Sequence, residues 1–257
     1  MSAFPETWRD DLLAAVTFLT RLRLRRASAE EPVATSLASA TWAFPLVGVV
    51  IGIIGGIVYV VAFAIGLPAL AAALIAIGAT ALATGGLHED GLADTADGLG
   101  GGTTRDEKLS IMRDSRTGVY GVLALVFSVA LRVVALGQID QGWRVLGALI
   151  AAHALARGLL PFALRFMEPA RSDGLGATAG RPEQSFVLWS CGIAIVVALV
   201  AAGIRPGLSA AIAAAAVAAV IAWLAQRQIG GFTGDVLGAI EQGGEVAALL
   251  AIAAWSP

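Results

Sequence analysis

The chain has 257 residues, 58% of them hydrophobic and only 14% charged, with 17 lysines and arginines against 19 aspartates and glutamates. A mean hydropathy of +0.81 is too high for an ordinary soluble domain and assigns most of the length to a bilayer. The lone Cys191 excludes an intrachain disulfide framework, and no nucleic-acid partner is expected.

The amino terminus, MSAFPETWRDDLLAAVTFLTRLRLRR, lacks the basic start, unbroken apolar stretch and small-residue cleavage site of a secretory signal, so it is expected to be retained. From Pro5 to Leu24 it reads as an amphipathic helix, with Trp8, Leu12, Ala15, Leu19 and Leu22 forming an apolar stripe. Arg9, Asp10 and Asp11 fit an interfacial helix over residues 1–26 better than a span.

A crossing helix needs about 20 mostly apolar residues. Seven segments qualify, near 41–66, 68–86, 118–137, 143–165, 186–203, 207–225 and 235–255, so the predicted fold is an all-α polytopic bundle in a single membrane domain. Gly48, Gly52 and Gly56 recur every four residues in the first span, which favours close backbone packing. Only GLP joins the first pair of spans and only IRPG the pair near residue 205, so each pair should lie side by side and antiparallel. Arginine and lysine in short loops favour the cytoplasmic side. With the amino terminus inside, only Arg144 and Arg205 lie outside, and loops 87–117, 166–185 and 226–235 share the cytoplasmic face.

The first of these loops contains GGLHEDGLADTADGLGGG. On a helix turning about 100° per residue, Asp90, Asp94 and Asp97 fall within an arc of roughly 60°. Such like charges destabilise a helix unless cations bind, so the spacing favours Mg²⁺ over a merely solvated helix end. The glycines after Asp97 fit either a phosphate-binding loop or a flexible linker. Thr104 is placed to cap a short helix. Beyond it, Arg105, Lys108, Arg113 and Arg116 suit a polyanionic substrate, against the ordinary positive-inside signal. Asp114 either completes the metal shell or orients an arginine. His88 either takes a proton from a substrate hydroxyl or only donates and accepts hydrogen bonds.

Within the spans, Arg132, Arg157, Glu241 and Glu245 would be costly unpaired, and His153 reads as a packed polar residue. An ion pair of Arg157 with Glu245, or a polar cavity floor touching substrate, is expected. In GGFTGDVLGAIEQGGE, Thr233 caps the last helix, and Asp235 is either a helix-start charge or a binding group.

The run GGLHEDGLADTADGLGGG followed by RDEKLSIMRDSRTGVYGVLAL, with FLTRLR, FPLVGVVIG and GGFTGDVLGA elsewhere, closely resembles the cobalamin synthase family, the adenosylcobinamide-GDP ribazoletransferases. The resemblance covers nearly the whole chain. It implies a multi-pass, Mg²⁺-dependent enzyme of the bacterial inner membrane that joins α-ribazole, or α-ribazole 5′-phosphate, to adenosylcobinamide-GDP and releases GMP. The attacking hydroxyl is expected at the ribazole 5′ position. Metal would sit on Asp90, Asp94, Asp97 and Asp114, with Asp97, Glu89 and His88 as candidate bases in that order and Asp94 also in the catalytic set. Arg105, Lys108, Arg113, Arg116, Arg157, Asp235 and Glu245 would bind substrate. The aspartate spacing is also similar to that of the CDP-alcohol phosphotransferases, but their motif has an alanine-arginine pair where this chain has Ala93 and Asp94. A corrinoid or ion transporter is the rival from another class, and the oligomeric state stays open.

Overall fold

The computed structural model describes residues 8–21, 36–173 and 179–256. Among them all regular elements are helical, apart from one isolated parallel bridge between Pro169 and Phe232. The helices are α1 (Trp8–Leu19), α2 (Leu37–Ala40), α3 (Phe44–Ala64), α4 (Ala69–Thr84), α5 (Leu87–Gly101), α6 (Arg105–Ile111), α7 (Val119–Ile139), α8 (Gly142–Gly158), α9 (Leu160–Phe166), α10 (Gln184–Ala202), α11 (Ile204–Ile229) and α12 (Gly234–Ala253), with a 3₁₀ turn over Thr41–Ala43 leading into α3.

Six described stretches are long and apolar enough to cross a bilayer, and the chain is a multi-pass membrane protein. The expected span 68–86 differs from the rest. At 16 residues, α4 rises about 24 Å, short of the roughly 30 Å hydrocarbon thickness. Gly85 and Gly86 then both adopt left-handed φ (+70° and +69°), and α5 leaves at 92°. The count reaches seven only if this bent pair is taken as one span.

Small residues set the packing. A Cβ on Gly52 would lie 2.5 Å from Ile150 Cα, and one on Gly56 would lie 2.8 Å from Leu146 Cα. The obstructing atoms are backbone, so only glycine lets α3 seat against α8. The joined helices α3–α4 and α10–α11 pack together as their short connectors imply. One apolar cluster is built around Tyr59, Leu136, Leu149 and Leu249, and a second around Leu19, Phe44, Leu164 and Ile240.

The amino-terminal helix is less superficial than its pattern suggests. Ala15 and Leu19 are buried, but Trp8 is 46% exposed, and the fully buried Asp11 accepts hydrogen bonds from the Trp42 indole (3.0 Å) and Ser39 (3.4 Å). These bonds dock α1 on the α2–α3 corner, which accounts for an acidic residue inside the apolar arc. The two ends of this expected helix, residues 5–7 and 22–24, lie outside the described residues.

Candidate active site

The three loops expected on one side converge structurally. Arg105, at the start of α6, donates to the carbonyls of Ile229 (3.0 Å) and Ala170 (2.5 Å). The bridge beside Pro169 is closed by Ala170 N–H to Phe232 O at 2.8 Å and Phe232 N–H to Glu168 O at 2.9 Å. Arg171 reaches Asp235 at 3.1 Å. The segments after α5, α9 and α11 therefore form one polar end of the bundle.

The acidic segment is helical, as its spacing predicts, and its aspartates pass from exposed to buried along α5: Asp90 exposed, Asp94 half-buried, Asp97 buried. Gly91 causes this inclination. Its Cα face meets α12, where an added Cβ would lie 2.8 Å from the Asp235 carbonyl oxygen and 3.1 Å from Gly238 Cα. A glycine-on-glycine crossing thus brings the start of α12, and with it Asp235, beside the acidic row. Asp94 stands in the electrostatic field of Asp90, Asp235 and Asp97, with Arg171 opposing them. Asp90 and Asp94 have no hydrogen-bond or ion-pair partner among the described residues.

Asp97 has a different role. Its carboxylate accepts the amides of Gly118 (2.6 Å) and Gly121 (2.9 Å), anchoring the start of α7. Both oxygens are engaged, which weakens the expectation that Asp97 is the first choice of base. No three of Asp90, Asp94, Asp97, Asp114 and Asp235 bring ligand atoms together within 4.8 Å; among the described residues only His153, Glu241 and Glu245 do so.

The glycine run is neither a phosphate loop nor a linker. α5 continues to Gly101, so the amides of this run sit in or against the helix. The missing side chains serve packing instead: a Cβ on Gly98 would meet Lys108 O at 2.9 Å, and one on Gly100 would press on the Tyr120 ring at 2.8 Å. Lys108 caps the same end, donating to Leu99 O (3.0 Å) and Gly102 O (2.6 Å). Expected at a phosphate, Lys108 satisfies helix carbonyls instead. Thr104 and Glu107 form a capping box for α6, and hydrogen bonds from the Thr103 hydroxyl and amide, with the Thr104 amide, hold the Glu107 carboxyl below its usual range.

Of the other expected cations, Arg105 is tied to backbone carbonyls as described. Arg113 pairs with Asp173 at 2.7 Å and Arg116 with Asp114 at 2.6 Å, all four side chains substantially exposed. Hydrogen bonds from Arg116 hold the Asp114 carboxyl down to about 2. Asp114 therefore orients an arginine, one of its two expected roles, and is not drawn into the acidic row. Exposed pairs of this kind are weak and yield easily to a stronger anion.

Behind α5 lies a buried charged lattice. Arg157 pairs with Glu241 at 2.5 Å, Arg132 with Glu245 at 3.0 Å, and His153 Nδ1 lies 2.9 Å from Glu245. The expected Arg157–Glu245 pair is thus replaced. α8 and α12 run antiparallel, so the residue nearer the polar end of α8 meets the one nearer the polar end of α12. Gln242 links Glu89 (3.3 Å), Glu241 (3.0 Å) and Ser128 (3.1 Å), and His88 Nδ1 sits 3.7 Å from Glu241. His88 and Glu89 therefore join α5 to this lattice, and Glu245 and Arg157 serve it as well. Both glutamates of the metal-like triad already face arginines.

Arg171, which sequence reasoning counted only among the cytoplasmic cations, is the main addition. Together with His88, Asp90 and Asp235 it forms the polar side of a cleft of about 260 Å³ whose other walls are apolar, including Phe18, Phe44, Leu160 and Leu164. Arg171 Nη1 is buried without a hydrogen-bond partner. Only the positive-inside loop count hinted at this residue.

The chain matches the family model for cobalamin-5-phosphate synthase over residues 11–253. It is 47% identical to a protein of Bradyrhizobium diazoefficiens over 95% of this chain and 94% of that one. It is 42% identical to one of Mesorhizobium japonicum, covering 96% and 93%, and 40% identical to one of Azorhizobium caulinodans, covering 94% of each. All three relatives are named adenosylcobinamide-GDP ribazoletransferase. No solved structure matches the chain at a significant level.

Proposed function

The chain belongs to the cobalamin-5-phosphate synthase family of enzymes, and from that premise we propose that it joins α-ribazole, or its 5′-phosphate, to adenosylcobinamide-GDP with release of GMP. The reaction takes place at the cytoplasmic face of a bacterial inner membrane and depends on Mg²⁺. The observation that carries this reading is the pair of partnerless carboxylates, Asp90, which lines the cleft together with Asp235, and Asp94, which stands in the electrostatic field of both.

The donor set suits Mg²⁺, which keeps several waters and takes one or two carboxylates plus substrate phosphates rather than a closed protein cage. Asp90 and Asp94 are the proposed ligands, with Asp235 within reach of the same charge. Bound Mg²⁺ would neutralise the diphosphate and polarise the phosphorus under attack. Arg171 faces the same space with an unused N–H, suited to a phosphate oxygen. Arg113 and Arg116, released from their exposed carboxylate partners, would receive the guanosine phosphate as charge builds on it.

A ribazole hydroxyl forms a bond to the phosphorus carrying the cobinamide, and the bond from that phosphorus to the bridging oxygen breaks, so GMP leaves with the electron pair. A product named cobalamin 5-phosphate keeps its 5′ oxygen occupied, so the nucleophile is a secondary ribose hydroxyl, not the 5′ hydroxyl expected from the sequence. The hydroxyl proton passes to an unengaged carboxylate of α5. Asp94 is favoured for this step over Asp97, which holds two amides, over Glu89, which bonds Gln242 of the buried lattice, and over His88, which lines the cleft but turns its Nδ1 to Glu241.

The test is direct: purified full-length protein with adenosylcobinamide-GDP, α-ribazole and Mg²⁺ should yield a cobalamin product and stoichiometric GMP. Absence of GMP, or CMP released from a CDP-alcohol substrate instead, would refute the reading.

A further inference from the structure

We infer that the cleft beside Asp90 is the acceptor subsite, its apolar walls receiving the planar benzimidazole of the ribazole and its polar rim the ribose. This rests on the reaction proposed above and goes beyond it by assigning one substrate to one place. The walls are built from three separate parts of the chain: Phe18 of α1, Phe44 of α3, and Leu160 and Leu164 of α9, with Leu87 at the edge. Phe18 and Phe44 stack with centroids 6.0 Å apart and planes 16° apart. Phe44 is fully buried and Phe18 half-buried, so Phe18 offers the accessible aromatic surface of the kind on which bases stack, with Phe44 supporting it.

The remaining substrate parts fit less well. A corrin ring is far larger than a cleft of about 260 Å³. A guanine would bury the donors and acceptors of its polar edge against leucine and phenylalanine, each left unpaired at considerable cost. A dimethylbenzimidazole has an apolar outer edge and a single unsubstituted ring nitrogen, which matches these walls. The rim of His88, Asp90, Arg171 and Asp235 then lies where the sugar emerges, next to the partnerless carboxylates. The amino-terminal helix, through Phe18, thereby becomes part of the acceptor site.

The experiment measures initial rates of GMP release while each substrate is varied against a saturating level of the other. Leu87→Trp fills the cleft from its exposed edge, and Phe18→Ala removes half of the stacked wall. Each should raise KM for α-ribazole about tenfold or more, leave KM for adenosylcobinamide-GDP within about twofold, and leave inhibition by GMP unchanged. A raised donor KM or weakened GMP inhibition would give the cleft to the nucleotide instead. An unmoved acceptor KM in both variants would leave it to a lipid chain, and either result overturns the assignment. Because Leu87 is exposed, its variant keeps the test valid even if loss of Phe18 unseats α1. Wild-type protein that makes no GMP at all would sink the reaction itself, a result separable from a failed KM split.

Discussion

Gly91→Ala should loosen the junction between α5 and α12. Alanine favours a helix interior over glycine by up to about 1 kcal/mol, so propensity alone would make the variant more stable. The added methyl, however, would stand 2.8 Å from the Asp235 carbonyl oxygen and 3.1 Å from Gly238 Cα. Carbon contacts are comfortable from about 3.5 Å, so the helices must part by roughly half an ångström or more. Overpacking of this kind costs about 1–3 kcal/mol, and because the opposing atoms are backbone, little side-chain adjustment is available. The expected net loss is about 1–2 kcal/mol, accompanied by a higher Mg²⁺ requirement for GMP release as Asp235 draws away from Asp94. Gly78 is the control: it lies within α4 with nothing within 4 Å of its would-be Cβ, so Gly78→Ala should match or exceed the parent in thermal unfolding. If Gly91→Ala also melted above the parent and kept its Mg²⁺ response, the crossing would not be the constraint described.

Asp94→Asn should abolish GMP release while the purified protein unfolds at its normal temperature; full Mg²⁺-dependent turnover would remove Asp94 from the mechanism. Arg157→Met strands Glu241 in the interior and should cost about 3–5 kcal/mol in denaturation, whereas the double variant Arg157→Met/Glu241→Leu should recover a substantial part. A double variant no more stable than the single one would contradict the pairing. Thr233→Ala should lose about 1 kcal/mol through the α12 cap, with Thr233→Ser near the parent. The Asp114 carboxyl, followed by NMR, should titrate near 2. Its bond to Arg116 is then complete above the ordinary aspartate value of about 3.9 and is lost as pH falls through the folded value, while Arg116→Ala should return the midpoint toward that value.

Much of the fold was legible because hydrocarbon imposes a simple length rule and because glycines four apart announce close contact, as at Gly52 and Gly56. The α4–α5 bend was not, since an apolar run does not reveal that two left-handed glycines will end it early. The helical spacing of the acidic row was readable, but which carboxylates remain unengaged depends on partners distant in sequence. Nothing local to Asp97 shows that residues 118 and 121 will occupy it. Likewise, Glu241 and Glu245 are one turn apart and equally plausible partners for Arg157 until the register of α8 against α12 is known. Glycines 98 to 102 misled for a related reason. Composition points to a loop, while the contacts with Lys108, Met112 and Tyr120 impose a helix.

That last feature bears on biogenesis. α5 contains four glycines within 15 residues, a handicap of about 4 kcal/mol relative to alanine, and it adds mutually repelling aspartates. Such a segment has no means of coiling by itself as it leaves the ribosome. It acquires its shape only when α6, α7 and finally α12 close around its bare main chain, so the chemistry of this enzyme should switch on late, after the last carboxy-terminal helix has been threaded into the lipid.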